Sequence, residues 1–149
     1  MKKCKGCIIA VVDGQGGGVG KYIIEKLRKE LGDNIEVRAL GTNAAATQNM
    51  IKAGASVGAT GEAAIVYNMP RVDIIMGVVG IIMKNSMLGE VTANMVNAVG
   101  DSDALKVLVP TSRCHIAITG TSKRTLQEHV EEAVEIVKQH MKDNREYMS

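Results

Sequence analysis

The chain has 149 residues, 46% of them hydrophobic, and a formal net charge of +2. This length suits a single domain with a sizeable core, and the near balance of charge argues against a nucleic-acid groove. Phe and Trp are absent and Tyr occurs three times, so the aromatic platforms used by many flavin and single-strand nucleic-acid sites are scarce.

The longest apolar stretch, residues 74–83, is too short to cross a bilayer. The lysines and apolar run at the amino terminus resemble a secretion signal. However, the run ends at Asp13 and a glycine loop, without a small-residue cleavage site. We therefore expect a cytoplasmic protein with no membrane partner and with its three cysteines reduced.

Apolar periodicity alternates between strands and helices along the chain. The predicted elements of the first half are a strand at 7–13, a helix at 19–31, a strand at 35–40, a helix from an Asn43 cap to Ala53, and a short helix from a Thr60 cap to Asn68.

The second half of the chain begins with the strongest predicted strand, residues 72–79. Its residues are apolar on both faces of the strand, so we expect both faces to be covered. Residues 81–90 are either an extended loop or a short strand. The remaining predicted elements are a helix capped by Thr92, strands at 106–110 and 115–119, and a final helix that begins with a Thr125–Glu128 capping box.

This order predicts an α/β fold, a three-layer Rossmann-like sandwich with a mainly parallel sheet of about five strands. The last two strands are too close for a helical crossover. They either form an antiparallel pair at the sheet edge, or the second is not a strand. We expect residues 1–149 to form one Rossmann-like nucleotide-binding domain.

The glycine loop from Asp13 to Lys21 reads Asp-Gly-Gln-Gly-Gly-Gly-Val-Gly-Lys. A strand, a glycine loop and a helix in this order build a phosphate cradle, because glycine lets backbone N–H groups approach a ligand closely. The alternative is that the loop binds nothing, that its glycines let the helix pack on the sheet, and that Asp13 fills the cradle.

The spacing of the glycines fits one known nucleotide-binding motif and not another. Gly14, Gly18 and Gly20 fit Gly-x-x-x-Gly-x-Gly, as in short-chain dehydrogenases, whereas Gly-x-Gly-x-x-Gly does not fit. The catalytic Tyr-x-x-x-Lys of those enzymes matches only Tyr22 and Lys26, on the helix right after the loop. That is the wrong place for the chemistry, so we interpret this part of the match as accidental.

Residues 17–21 also resemble the deviant phosphate loop of the ParA and MinD partitioning ATPases. Tyr22 stands where a Ser or Thr hydroxyl would hold magnesium, and no later predicted strand ends in an aspartate. ATP hydrolysis by that mechanism is therefore disfavoured.

The second strand does not end in the carboxylate that binds the NAD ribose in Rossmann folds. Thr42 and Asn43 are instead available for a 2′-phosphate or a ribose hydroxyl, which favours NADP over NAD without excluding either. Asp13 would repel a pyrophosphate unless it turns aside, pairs with Lys21 or Arg113, or contacts a sugar.

Ligands of doubly wound sheets bind at the carboxyl ends of the strands. Gly77 and Gly80 suit a close ligand or a bend, and residues 111–113 suit phosphate binding or a solvated turn. Asn85, Ser86 and Glu90 are candidates for contact with a substrate or a subunit partner. The predicted cofactor-binding residues are Asp13, Gly14, Gln15, Gly16, Gly17, Gly18, Val19, Gly20, Gly41, Thr42, Asn43, Gly80, Asn85, Ser86, Thr111 and Arg113.

Cys4 and Cys7 form a Cys-x-x-Cys pair, and Cys114 precedes His115. Two such groups can make a zinc or iron–sulfur site. The pair begins the first strand, however, whereas Cys114 follows the carboxyl end of another. We therefore predict solvated thiols and no metal.

Four segments, residues 12–21, 40–44, 58–62 and 85–90, together resemble a family of small bacterial proteins known only as a domain of unknown function. The resemblance extends from about Ile8 to Lys138 and leaves the Cys-x-x-Cys pair outside. It implies no activity, because the family has none to transfer.

The sequence thus favours a protein that binds a nucleotide or dinucleotide, with NADP or NAD ahead of ATP. We expect a homodimer whose interface includes the methionine-rich residues 81–88. A small NADP-dependent oxidoreductase and a non-catalytic nucleotide sensor or scaffold both remain open, with no catalytic residue identified. A metal or redox protein that uses Cys4, Cys7 and Cys114 is the third possibility.

Overall fold

A computed structural model describes residues 6–112 and 115–148, with the backbone alone for 145–148. The strands β1 to β5 are Ile8–Asp13, Glu36–Gly41, Val57–Thr60, Ile74–Val78 and Leu105–Val109. The helices α1 to α5 are Gly18–Leu31, Ala44–Lys52, Glu62–Asn68, Ala93–Asp101 and Leu126–Met148. Two short 3₁₀ helices are formed by Met69–Arg71 and Val79–Ile82.

The five strands form one parallel sheet in the order β3-β2-β1-β4-β5. Strand β1 is central and pairs with β2 on one side and with β4 on the other. The strand order reverses between β1 and β4, and this switch point is where open α/β sheets bind ligands.

Two hydrophobic cores cover the two faces of the sheet, because successive residues of a strand point to opposite sides. Ile9 and Val11 of β1 belong to the core that α1, α2 and α5 complete. Ala10 and Val12 belong to the second core, which α3 and α4 complete. The predicted three-layer α/β sandwich is therefore confirmed.

Most predicted elements are confirmed to within a few residues, and so are three of the predicted helix caps. The Asn43 side chain accepts a hydrogen bond from Ala46 N at 2.9 Å, and Thr92 Oγ1 accepts one from Met95 N at 3.3 Å. Thr125 Oγ1 accepts one from Glu128 N at 3.1 Å. These short-range contacts fix where the helices begin.

Three predictions about the fold were wrong or incomplete. Residues 115–119 form no strand, which is the second of the two alternatives for this segment, so the sheet in the described part of the chain has no antiparallel edge. The fifth strand is instead Val57–Thr60, which the sequence reading missed because Val-Gly-Ala-Thr is short and shows no clean alternation. The predicted Thr60 cap was also wrong. Thr60 is the last residue of β3, and Gly61, with a φ of 98°, is the residue that precedes helix α3.

Residues 81–90 contain no strand, because the 3₁₀ helix Val79–Ile82 redirects the chain directly after β4 and a loop, residues 83–90, follows it. Gly77 has a packing role at this point. A Cβ there would lie 2.6 Å from Val12 O on the neighbouring strand and 3.1 Å from Ile81 Cδ1.

Among the residues that the structure describes, no helix is long and apolar enough to cross a bilayer.

Replacing Gly77 with Ala should therefore force β1 and β4 apart and lower the free energy of unfolding by about 1–3 kcal/mol. Gly100→Ala is the matched control, because a Cβ at Gly100 in α4 meets no atom within 4 Å. It should leave the stability unchanged or raise it by up to about 1 kcal/mol. Urea denaturation measures both variants, and equal stabilities would contradict this packing argument.

Candidate functional site

The glycine loop and the residues after β2 lie side by side at the carboxyl edge of the sheet. Asp13, the last residue of β1, pairs in register with Gly41, the last residue of β2. Thr42 N donates to Asp13 O at 2.9 Å, and the Asn43 side chain donates to Gln15 O at 2.9 Å. The fold thus brings together two of the predicted site segments.

The Asp13 side chain turns inward beneath the loop and is only 6% exposed. Its Oδ1 accepts a hydrogen bond from Gly14 N at 2.8 Å, and its Oδ2 accepts one from Gly20 N at 2.7 Å. A carboxylate is favourable there, because the first turn of α1 carries the positive end of the helix dipole. Asp13 therefore fills the inner part of the cradle.

Gly14, Gly17 and Gly20 have structural reasons to be glycine. A Cβ at Gly14 would lie 2.5 Å from Thr42 Oγ1, and one at Gly20 would lie 2.5 Å from the Met50 sulfur. Gly17 has a φ of 70° and its Cβ would lie 2.8 Å from a backbone atom of α2. Gly17 and Gly20 let α1 pack closely on α2 and on the end of β1, and Gly14 makes room for the side chains of Thr42, Met87 and Glu90.

At Gly16 and Gly18, neither packing nor backbone conformation requires a glycine. Both are exposed, neither has a positive φ, and a Cβ at either position would meet no atom within 4 Å. Gly18 and Val19 begin α1, and their N–H groups donate no hydrogen bond to the described part of the chain. The outer surface of the loop is thus bare backbone, on which the N–H groups of Gly18 and Val19 are open donors.

Glu90 reaches this edge from the loop that follows β4. Its Oε1 accepts hydrogen bonds from Gln15 N at 3.1 Å, from Thr42 Oγ1 at 2.7 Å and from Asn43 Nδ2 at 2.6 Å. The Thr42 hydroxyl lowers the pKa of Glu90 most, desolvation opposes this, and Asn43 and Gln15 lower it further. A carboxylate therefore stands beside the end of β2, although β2 itself carries none there.

This role of Glu90 was missed by sequence reasoning, which considered the residue only for contact with a substrate or subunit partner. The contact spans 48 residues along the chain from Thr42, and the 81–90 segment has no readable periodicity. Its appearance next to Asn85 and Ser86 in a polar segment was the only available signal.

The other predicted residues of this loop have structural roles. Ser86 Oγ donates to Gly80 O at 2.5 Å, and Asn85 N donates to Val91 O at 2.8 Å. Both bonds close the loop on itself, and no hydrogen bond among the described residues joins Asn85, Ser86 or Gly80 to the glycine loop.

Thr111 follows β5, which is separated from β1 by β4. Arg113, Cys114 and Cys4 lie outside the described residues. Cys7 packs, partly buried, against the first core at the amino end of β1. Within the described ranges, no three His, Cys, Asp or Glu side chains are placed to hold a metal ion.

Two surface cavities lie away from the glycine loop. One, of about 240 Å³, is beside Asp73, Asp101 and Asp103 at the amino ends of β4 and β5. The other, of about 360 Å³, lies between the edge strand β3 and Tyr67 of α3. Neither is lined by a residue of the predicted site.

A parallel sheet in this order, with a glycine loop at its switch point and helices on both faces, defines a Rossmann-like α/β protein. Residues 8–142 match the model of a family described as a domain of unknown function, DUF3842. The chain therefore belongs to this family, as the resemblance of residues 8–138 predicted. No curated protein matches the chain.

Because the pKa of Glu90 is lowered in the folded protein, we expect its contribution to the free energy of unfolding to depend on pH. The ionised form stabilises the fold above the ordinary pKa of 4.5, and this contribution disappears as the pH falls through the lower folded value. Glu90→Gln should therefore cost about 1–3 kcal/mol at pH 7, and the difference from wild type should shrink in acid.

Urea denaturation at pH 7 and pH 3 measures this difference. Glu25→Gln, at an exposed residue of α1, is the control and should change little at either pH. A cost for Glu90→Gln that is equal at both pH values would contradict the prediction.

Proposed function

We propose that this chain is a cytoplasmic protein that binds a nucleotide or dinucleotide, with NAD or NADP as the leading ligands. The phosphate would lie on the outer surface of the glycine loop, over Gly16 and Gly18. The main support for this proposal is that these two glycines are exposed and are not needed for packing or for backbone conformation.

Bare backbone at this position has a chemical use. Without Cβ atoms at Gly16 and Gly18, a phosphate oxygen can approach the N–H groups of Gly18 and Val19. The positive end of the α1 dipole favours an anion there. A loop whose glycines served packing alone would not need a glycine at either position.

Asp13 is compatible with such a ligand because its carboxylate lies on the inner side of the loop. Two backbone N–H groups, from Gly14 and Gly20, already stabilise its charge. The phosphate would use the outer donors, so the cradle is divided between an internal carboxylate and an external ligand. The proposal concerns binding, and we assign no catalytic residue.

A thermal-shift panel of NAD, NADP, ATP, GDP, coenzyme A and S-adenosylmethionine tests the proposal. NAD or NADP at a hundredfold excess over its dissociation constant should stabilise the protein by about 2.7 kcal/mol. At this chain length the midpoint should rise by several degrees. If no ligand of the panel moves the midpoint of the wild-type protein, the proposal is wrong, and a shift with ATP or GDP alone would overturn the preference for NAD or NADP.

Gly18→Asp should abolish the ligand-induced shift, because a carboxylate would cover the open donors and repel the phosphate. The variant should fold as well as wild type or be stabilised by about 0.3–1 kcal/mol, since an acidic residue suits the first turn of a helix. Gly6→Asp, at an exposed glycine before β1, is the matched control and should keep the shift. A full shift in Gly18→Asp would contradict the proposed site.

We also propose a homodimer that uses the apolar loop after β4. Three side chains of this loop are exposed: Ile82 by 42%, Met83 by 44% and Leu88 by 96%. Leu88 has a φ of 56°, so the backbone is held in an unfavourable conformation that presents this side chain to solvent. Exposed apolar side chains gathered in one loop are typical of a contact surface.

Sedimentation velocity should therefore show a dimer for wild type and a monomer for Leu88→Asp. Ile136→Asp, at a residue 45% exposed on α5, is the control and should remain dimeric. A monomeric wild-type protein would contradict the homodimer.

A further inference from the structure

The carboxylate that Rossmann folds place at the end of the second strand has a spatial substitute in this chain. In those folds an Asp or Glu at that position binds the ribose 2′-hydroxyl of NAD. Here β2 ends at Gly41, and Thr42 and Asn43 follow it. Both side chains donate to Glu90, which comes from the loop after β4.

The two oxygens of Glu90 have different surroundings. Oε1 receives all three hydrogen bonds, from Gln15, Thr42 and Asn43. Oε2 accepts none from the part of the chain that the structure describes, and the side chain is partly exposed. One oxygen thus anchors the carboxylate, and the other is presented as an open acceptor of fixed position.

The loop that carries Glu90 is held in an unusual conformation. Asn85, Met87 and Leu88 have φ values between 56° and 71°, and Gly89 has a φ of 90°. Hydrogen bonds from Asn85 N to Val91 O and from Val91 N to Ser86 O close the loop. Backbone strain of this kind persists where the surrounding structure enforces it, and it is concentrated at functional sites.

We propose that Glu90 is the ribose-recognition residue of the site and that the site selects a nucleotide with a free ribose 2′-hydroxyl. This inference rests on the proposed nucleotide binding and deepens it. It places NAD ahead of NADP, the reverse of the preference that Thr42 and Asn43 indicated in the sequence, because both side chains are engaged by Glu90.

Charge supports the same selection. The contacts of Glu90 come from neutral donors, and no ion pair among the described residues involves this carboxylate. Its lowered pKa keeps it ionised near neutral pH. A 2′-phosphate would bring about −1.5 to −2 further charges next to this anion, whereas a hydroxyl would donate a hydrogen bond to it.

The test compares NAD with NADP, which differ by the 2′-phosphate alone, by isothermal titration of wild type and Glu90→Gln. Wild type should bind NAD at least roughly tenfold more tightly than NADP. Glu90→Gln should weaken NAD binding by roughly tenfold, because the charge-assisted hydrogen bond to the ribose hydroxyl is lost. It should also bring the affinities for NAD and NADP closer together, because the repulsion between Glu90 and the 2′-phosphate is removed.

Glu62→Gln is the matched control, because Glu62 lies at the same edge of the sheet and binds Thr92 and Asn94. It should leave the NAD-to-NADP ratio unchanged, and a thermal melt of each variant establishes that it is folded.

Each other outcome has a distinct meaning. Equal or tighter binding of NADP by wild type overturns the inference and leaves the proposed function standing. An unchanged ratio in Glu90→Gln overturns the role of Glu90, and tighter binding of both dinucleotides by this variant shows that Glu90 competes with the ligand. If wild type binds neither, this inference fails together with the preference for NAD or NADP, and the thermal-shift panel decides whether another nucleotide binds.

Discussion

The carboxylate of Asp13 joins the end of the central strand to the first turn of α1, and the carboxyl edge of the sheet is built around this contact. Two backbone N–H groups, from Gly14 and Gly20, converge on it. A buried carboxylate is costly unless its charge is met in this way. Because the loop must fold tightly over Asp13, Gly14, Gly17 and Gly20 leave no room for side chains, and the outer backbone remains exposed.

The two halves of the candidate site are supported by different physics. The outer glycine surface depends on a helix dipole and on the absence of side chains at Gly16 and Gly18. The Glu90 half depends on three donors that fix one carboxylate oxygen. In the proposed complex the first half binds the phosphate and the second half binds the sugar hydroxyl of one nucleotide.

Local patterns in the sequence were sufficient for most of the fold. Periodicity located β1, α1 and β4, and the caps at Asn43 and Thr92 were read from single residues whose hydrogen bonds are local. Strand β3 escaped because its stability comes from pairing with β2 and not from the propensity of Gly58 or Ala59. The position of Glu90 escaped for a related reason, since it depends on tertiary contacts of a loop without periodicity.

The sequence separation of the Glu90 contacts has a consequence for how the site assembles. Strand, glycine loop and helix are contiguous along the chain, so the glycine-loop half of the candidate site needs only local contacts to form. Glu90 meets Gln15 across 75 residues and reaches it only after β4 has docked beside β1. Contacts of such separation form late, because loop closure has to precede them. The complete candidate site is therefore a property of the finished fold, and a partly folded chain would carry only its glycine-loop half.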